Sequence, residues 1–262
     1  SFVFLMLKCI VMAGHSKWAN IKHRKGAQDK KRAKIFTRIL KEIHTAVKEG
    51  ENPDPDTNPA LRLAVNNAKG ANIPKDTIER AIKKASGADS ESYIDVNYEG
   101  YLSHGVAVFV EASTDNLQRT VANVRSIFSK NGGSLGTNGS LEFIFDRKGV
   151  FTLSKENLGD RDREVLELEI IGGGAEEIEK GEERWFVTTS FEDFGSMQQT
   201  LENLELEVQS AELHRIPKTN VTLEVEDARA ILKVIDKFED DDDVQNVYHN
   251  LEMTDELEAA LH

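Results

Sequence analysis

The chain has 262 residues, of which 39% are hydrophobic and 30% are charged, and its formal net charge is −13. This apolar content excludes a wholly disordered chain, and the length predicts about two domains, or three small ones. The single cysteine, Cys9, excludes a disulfide framework and a cysteine-based zinc site.

Residues 1–11 are almost entirely apolar, but a bilayer span takes about 20 such residues. The segment lacks the charged start and small-residue cleavage site of a signal peptide, and it is not Arg-rich like a transit peptide. We interpret Met12 as the natural start and 1–11 as an atypical N-terminal extension without an assigned role. The sequence therefore predicts a cytoplasmic protein with no membrane partner.

Positive charge is concentrated in the segment that follows. Residues 13–41 contain ten basic residues against one acid, Asp29, whereas residues 93–262 contain 15 basic and 36 acidic residues. A basic pole on an acidic protein is typical of a phosphate-binding surface, although a solvated, positively charged helix face would give the same pattern. Because the acidic remainder repels nucleic acid, we expect binding to be confined to this pole.

Residues 12–25, MAGHSKWANIKHRK, combine phosphate donors with one aromatic residue, Trp18. A tryptophan in a basic stretch can stack on a base or ribose, or it can anchor the arm on the helices that follow. This irregular, basic and aromatic mixture suits shaped RNA better than a helix that reads a DNA groove. The candidate nucleic-acid-binding residues are His15, Lys17, Trp18, Lys22, His23, Arg24, Lys25, Lys30, Lys31, Arg32, Lys34 and Arg38.

Helical periodicity begins at residue 33 and ends at Gly50. Asn58-Pro59 predicts a capped start for a second helix, and Pro74 starts a third. Residues 12–92 are therefore predicted to form a basic arm and a small helical domain.

From residue 93 the apolar period shifts towards two. Residues 93–101 and 106–112 predict two strands joined by a turn, and residues 116–130 predict a helix. Alternation over 141–145 predicts a further strand.

A βαββαβ succession comes next and occupies residues 148–216. Its predicted strands are 149–154, 175–180, 184–190 and 206–215, and its predicted helices are 162–171 and 192–203. That order is the ferredoxin-like unit.

The last predicted elements are a strand at 221–225, a helix at 228–238 and a strand at 244–248. They are too few to form a domain, so we expect them to complete the sheet of 93–147. The predicted fold class is α+β multidomain: an N-terminal helical bundle, an α/β domain of 93–147 plus 217–262, and a ferredoxin-like domain, 148–216, inserted in it.

Common enzyme motifs are absent from the sequence. The glycines at 132, 133 and 136 lack P-loop spacing and the following lysine, and there is no HExxH. The acidic run 239–243 lacks the glycine that an EF-hand needs at its sixth position, so we interpret it as a solvated loop that caps the preceding helix. We predict no catalytic residue, no metal site and no cofactor.

Several segments together resemble the YebC/PmpR family, which has a mitochondrial relative, the translational activator of cytochrome c oxidase. The resemblance covers about residues 12–250 and rests on MAGHSKWANIKHRK (12–25), NIPKDTIERAIKKASG (72–87), YEGY (98–101), VEASTDNLQRT (110–120), IFSKNGGSLG (127–136), FDRKG (145–149) and FEDDDDVQNVYHN (238–250).

The resemblance implies a helical N-terminal domain and two α/β domains, the last inserted in the second, with no catalytic site. Family members are labelled probable transcriptional regulators, and some are described as acting in translation at the ribosome, including on proline-rich nascent chains. The chain departs from the family at Leu102-Ser103-His104, where relatives often have a Gly-Pro-Gly turn.

We therefore expect a non-enzymatic, nucleic-acid-binding regulator of gene expression. The leading hypothesis is an RNA-binding translation factor whose partner is ribosomal RNA or tRNA on the ribosome. One alternative is a DNA-binding transcriptional regulator that binds duplex DNA, and another is an acidic scaffold that docks protein.

Overall fold

The structure is a computed structural model that describes residues 32–87, 92–159 and 161–261, with only the backbone of Arg32. It is a mixed α+β protein in which helices are followed by two antiparallel four-stranded sheets. By their contacts the residues form two compact units: the described parts of 1–34, 93–146 and 216–262, and the described parts of 35–92 and 147–215.

Three helices come first: α1 (Arg32–Glu49), α2 (Pro59–Gly70) and α3 (Lys75–Ala85). Asn58 caps α2 as predicted, because its Oδ1 accepts a hydrogen bond from the Leu61 amide at 3.1 Å. Its Nδ2 donates to the Ala46 carbonyl at 2.8 Å, which ties the end of α1 to the start of α2. Ile43 and Leu61 are fully buried between the helices.

The first sheet has the strand order β3-β1-β2-β8. Its strands are β1 (Ile94–Tyr101), β2 (Ala107–Thr114), β3 (Ser134–Leu135) and β8 (Val244–His249), and its helices are α4 (Leu117–Lys130), α7 (Val225–Glu239) and α8 (Asp255–Leu261).

The central strand β2 is buried on both faces, as its nearly continuous apolar sequence requires. Val108 and Val110 pack in the core with residues of α4 and α7, including Phe128 and Phe238, whose ring centroids lie 4.7 Å apart. Phe109 packs on the opposite face in a smaller cluster with Phe145 and others.

The second sheet has the strand order β5-β6-β4-β7. Its strands are β4 (Phe145–Ser154), β5 (Ala175–Lys180), β6 (Arg184–Ser190) and β7 (Val208–Pro217), and its helices are α5 (Arg163–Gly172) and α6 (Phe194–Asn203). These elements follow one another as βαββαβ, and they match the predicted bounds within four residues at each end. Phe151, Leu166 and Met197 belong to its buried core.

Two predicted strands are wrong. Residues 141–144 form turns, and β4 begins only at Phe145. Leu141 and Ile144 point inward three residues apart, whereas Phe143 is 69% exposed. The Glu99 carboxylate explains this, because it accepts hydrogen bonds from the Gly139 and Leu141 amides at 2.7 and 2.6 Å.

The predicted strand at 221–225 is reduced to one isolated bridge between Val221 and Leu251. The start of α7 at Val225 takes the last part of that segment. Sequence analysis also missed β3, which has only two residues, and the short helix α8.

Candidate nucleic-acid interface

The structure describes three of the twelve predicted binding residues. Arg32 begins α1 and is described by its backbone alone, whereas Lys34 and Arg38 are described completely. The other nine lie outside the described residues and stay predictions: His15, Lys17, Trp18, Lys22, His23, Arg24, Lys25, Lys30 and Lys31.

Lys34 lies in the first turn of α1 and is half-buried. Its Nζ donates a hydrogen bond to the Asp241 carbonyl at 2.8 Å. The ammonium group therefore has a partner within the protein, inside the acidic run 239–243.

Arg38 lies one turn further along α1 and is only 8% exposed. Its guanidinium donates to Glu212 Oε1 on β7 at 3.1 Å and lies 3.4 Å from Glu42 Oε1. The other Glu212 oxygen lies 3.0 Å from Nε2 of the buried His214. These contacts give Arg38 a positioning role that sequence analysis did not foresee, because Glu212 is 174 residues away in the chain.

A buried amide fixes α2 on the same strand. The Asn67 side chain donates to the Ala211 carbonyl at 3.0 Å and accepts from the Ala211 amide at 2.9 Å. Asn67 thus fills the place of a neighbouring strand beside β7. At the end of α2 the backbone approaches so closely that a Cβ on Gly70 would lie 1.9 Å from the Gln209 carbonyl oxygen.

The helices present further cations that sequence analysis did not assign to binding. Lys48, Arg80 and Lys83 are exposed. Lys48 Nζ donates to the Gly87 carbonyl at 3.5 Å, which brings the end of α1 to the chain just after α3. The spacing of Arg80 and Lys83, three residues apart on α3, was a signal for a shared helix face.

The acidic run 239–243 is not simply a solvated loop. Asp243 is 5% exposed, and its carboxylate accepts three hydrogen bonds from the Arg119 guanidinium, at 2.7, 2.8 and 3.1 Å, and one from the Thr120 hydroxyl at 2.9 Å. Hydrogen bonds to this carboxylate raise the pKa of the Arg119 guanidinium above its ordinary value. A carboxylate bonded in this way holds α4 to the start of β8.

Burial raises the pKa of the Tyr98 hydroxyl, and the charges of Asp243 and Asp241 raise it further. Its phenol is therefore neutral at physiological pH.

The described ranges contain neither a metal-binding cluster nor a membrane-spanning helix. No three His, Cys, Asp or Glu side chains in that part of the chain converge on a point where a metal ion could bind. None of its helices is long and apolar enough to cross a membrane.

Comparison with known proteins identifies the family. Residues 16–88 match the model of the TACO1/YebC protein N-terminal domain, and residues 93–251 match that of the TACO1/YebC second and third domain. The chain belongs to the TACO1/YebC family. Every predicted binding residue except His15 lies within the match to the TACO1/YebC N-terminal domain.

Two relatives extend over almost the whole chain. A protein of Amoebophilus asiaticus, named "Probable transcriptional regulatory protein", is 55% identical over 242 residues, 92% of this chain and 98% of its own. A crystal structure of a conserved hypothetical protein from Aquifex aeolicus matches with a TM-score of 0.75 and 37% identity, covering 86% of this chain and 91% of that one.

Proposed function

We propose that the protein is a non-enzymatic, cytoplasmic, nucleic-acid-binding regulator of gene expression, and specifically a translation factor that binds ribosomal RNA or tRNA on the ribosome. The observation that carries this proposal is the division of charge. Ten basic residues and one acid lie in 13–41, whereas 36 acidic and 15 basic residues lie in 93–262. Basic residues within a Debye length of a phosphate group attract that group, whereas the acidic residues of 93–262 repel it.

The same division favours RNA over duplex DNA. A DNA duplex is a long rod of phosphate, so wherever the basic segment bound, the acidic residues would lie near further phosphate. A cleft in folded RNA can admit the basic segment while the acidic residues face solvent or protein. The exposed Lys48, Arg80 and Lys83 are further cations on the helices.

The test is a ribosome pelleting assay at two salt concentrations with a charge-removal variant. Replacement of Lys30, Lys31, Arg32 and Lys34 by alanine should weaken binding broadly without changing sequence preference, because phosphate contacts position rather than specify. If about five phosphates are neutralised, a duplex competitor should show a log–log salt slope of roughly −4.5, and the variant a much shallower one.

The matched control removes four exposed cations from the acidic part of the chain, Lys130, Lys155, Arg229 and Lys233. Its net charge changes equally, so retained binding would show that position matters rather than total charge. Unchanged pelleting of the first variant would overturn the proposed interface.

The second candidate function is a DNA-binding transcriptional regulator, which the name of the Amoebophilus asiaticus relative favours. Ribosome profiling and promoter reporters in a deletion strain separate the two. Codon-specific ribosome pauses support translation. Altered promoter activity at unchanged ribosome occupancy, together with a footprint on one duplex, supports transcription.

We also propose the domain division 12–92, 93–147 plus 217–262, and an inserted ferredoxin-like 148–216. The strand order β5-β6-β4-β7 supports the ferredoxin-like assignment, and the pairing of β8 with β2 supports the insertion.

A further inference from the structure

Helix α5 has apolar side chains on two opposite faces. Leu166 and Ile170 are fully buried in the core of the second sheet. Val165, Leu168 and Ile171 face outward and are 52%, 69% and 54% exposed. A helix that is apolar on both faces is normally buried on both, but no element of the described ranges covers the outward face of α5.

The three exposed residues form a continuous surface. They are spaced three residues apart, and residues at that spacing are neighbours on a helix. We call Val165, Leu168 and Ile171 the α5 stripe. A contiguous exposed apolar surface rimmed by polar groups marks an interaction site, whereas scattered apolar residues do not.

Carboxylates surround the α5 stripe. Glu164 and Glu169 are exposed on the same helix. Glu167 lies beside it and forms an ion pair with Lys180 on β5. Because Lys180 offsets Glu167, the negative charge beside the stripe comes from Glu164 and Glu169, and it favours a positively charged occupant.

A symmetric contact between the α5 stripes of two copies does not meet that requirement. In a two-fold symmetric contact the same patch meets itself, so Glu164 and Glu169 of both copies would be brought into one interface. Such like-charge juxtaposition opposes association.

We propose that the α5 stripe docks a basic, amphipathic helix of another protein. Its apolar side chains cover the stripe, and its lysine or arginine side chains pair with Glu164 and Glu169. A helix suits the surface, because a ridge of side chains three apart packs into the groove of a facing helix. At ten residues, α5 is about 15 Å long, enough for about three turns of such a partner.

This inference does not depend on the proposed nucleic-acid function, since the surface has the opposite charge and a different class of occupant.

The test titrates the full chain against a fluorescein-labelled synthetic helix with leucine at positions i, i+3, i+4 and i+7 and lysine elsewhere. Fluorescence anisotropy should show binding, and the affinity should fall by about tenfold or more in the double variant Leu168→Ser, Ile171→Ser, because two exposed apolar contacts are lost. The pair Glu164→Lys, Glu169→Lys should weaken binding by charge alone. Phe143→Ser is the matched control, since Phe143 has the same 69% exposure as Leu168 but lies in the other unit.

Three outcomes overturn the proposal. The double variant binds the lysine peptide as tightly as the wild type; a peptide with glutamate in place of lysine binds equally well; or wild-type chain sediments as a dimer that the double variant abolishes, which makes a second copy the occupant. If the double variant fails to fold by circular dichroism, Val165→Ser alone gives the same comparison.

Discussion

Arg119 and Asp243 form an ion pair in which one side chain is buried and the other is accessible to water. The Asp243 carboxylate is buried, with 7% of its side chain exposed, whereas the Arg119 side chain is 47% exposed. The Asp243 carboxylate therefore depends on Arg119 for its hydrogen bonds, whereas the Arg119 guanidinium can bind water instead.

We predict an asymmetric response to removing each charge. Arg119→Met leaves a buried carboxylate without its main partner and should lower the free energy of unfolding more than Asp243→Asn does. Asp243→Asn leaves an accessible guanidinium and should cost only about 1–3 kcal/mol. Urea denaturation of the two variants measures the difference, and equal costs would show that the burial difference is not decisive.

We predict that Tyr98 makes the folded protein less stable at alkaline pH. Its pKa is raised in the folded protein, so the unfolded chain loses the phenolic proton first, above its ordinary value near 10. Below that value the stabilisation is fully present, and it is lost as the pH rises towards the folded-state pKa. Tyr98→Phe should flatten the fall in urea midpoint between about pH 9 and about pH 11, and an unchanged slope would contradict this assignment.

At the scale of elements, the attachment of α2 to β7 makes the helices and the second sheet a single compact unit. The Asn67 amide satisfies both backbone groups of Ala211 on the side where another strand would pair. An open strand edge invites pairing with other chains, so this contact also protects β7.

Two substitutions should separate these elements. Asn67→Leu leaves two buried backbone groups of Ala211 without partners and should cost about 2–4 kcal/mol. Gly70→Ala forces α2 away from β7 and should convert one unfolding transition into two. The matched control is Gly172→Ala, also at the last position of its helix, where a Cβ meets nothing within 4 Å. If Gly172→Ala also split the unfolding transition, the close contact between Gly70 and Gln209 would not be the cause.

Sequence predicted the elements that local pattern determines. The βαββαβ order and the Asn58 cap followed from periodicity and from residues close in the chain. The turn at 141–144 was not predictable in this way, because Glu99, about 40 residues earlier, captures its amides.

The same limit applied to the candidate site. Positive charge located the basic pole, but the pairing of Arg38 with Glu212 depends on residues 174 positions apart. A run of carboxylates likewise gave no sign that Asp243 alone would be buried by Arg119.

At the scale of the whole molecule, the described cores and the predicted phosphate donors of 12–25 are separate parts of the chain. Among the described residues, the core clusters begin at Ile35. The predicted phosphate donors of 12–25 precede them.

Deletion of residues 12–25 should therefore abolish nucleic-acid binding and leave a folded protein. Circular dichroism and a melting scan measure the fold, and ribosome pelleting measures the binding. A truncated chain that still pellets with ribosomes would move the interface to the helices, where Lys48, Arg80 and Lys83 would be the next residues to replace.

Replacing Trp18 separates its two predicted roles, stacking on a base and anchoring the arm on the helices. If it stacks on a base, Trp18→Ala should weaken binding by about 1–3 kcal/mol with an unchanged melting temperature. If it anchors the arm, the melting temperature should fall as well. A variant that binds and melts like the wild type would contradict both roles.

The pairing of β2 with β8 has a consequence during synthesis. Val108 pairs with His249, and the Asn250 side chain accepts a hydrogen bond from the Ala107 amide at 2.8 Å across 143 residues. The first sheet therefore cannot close until nearly the whole chain has been translated, and until then β2 has one unpaired edge. The segments of the second unit are complete once residue 215 has left the exit tunnel. Vectorial synthesis thus favours folding the second unit first, although the first unit's β1 and β2 are made before β4 to β7.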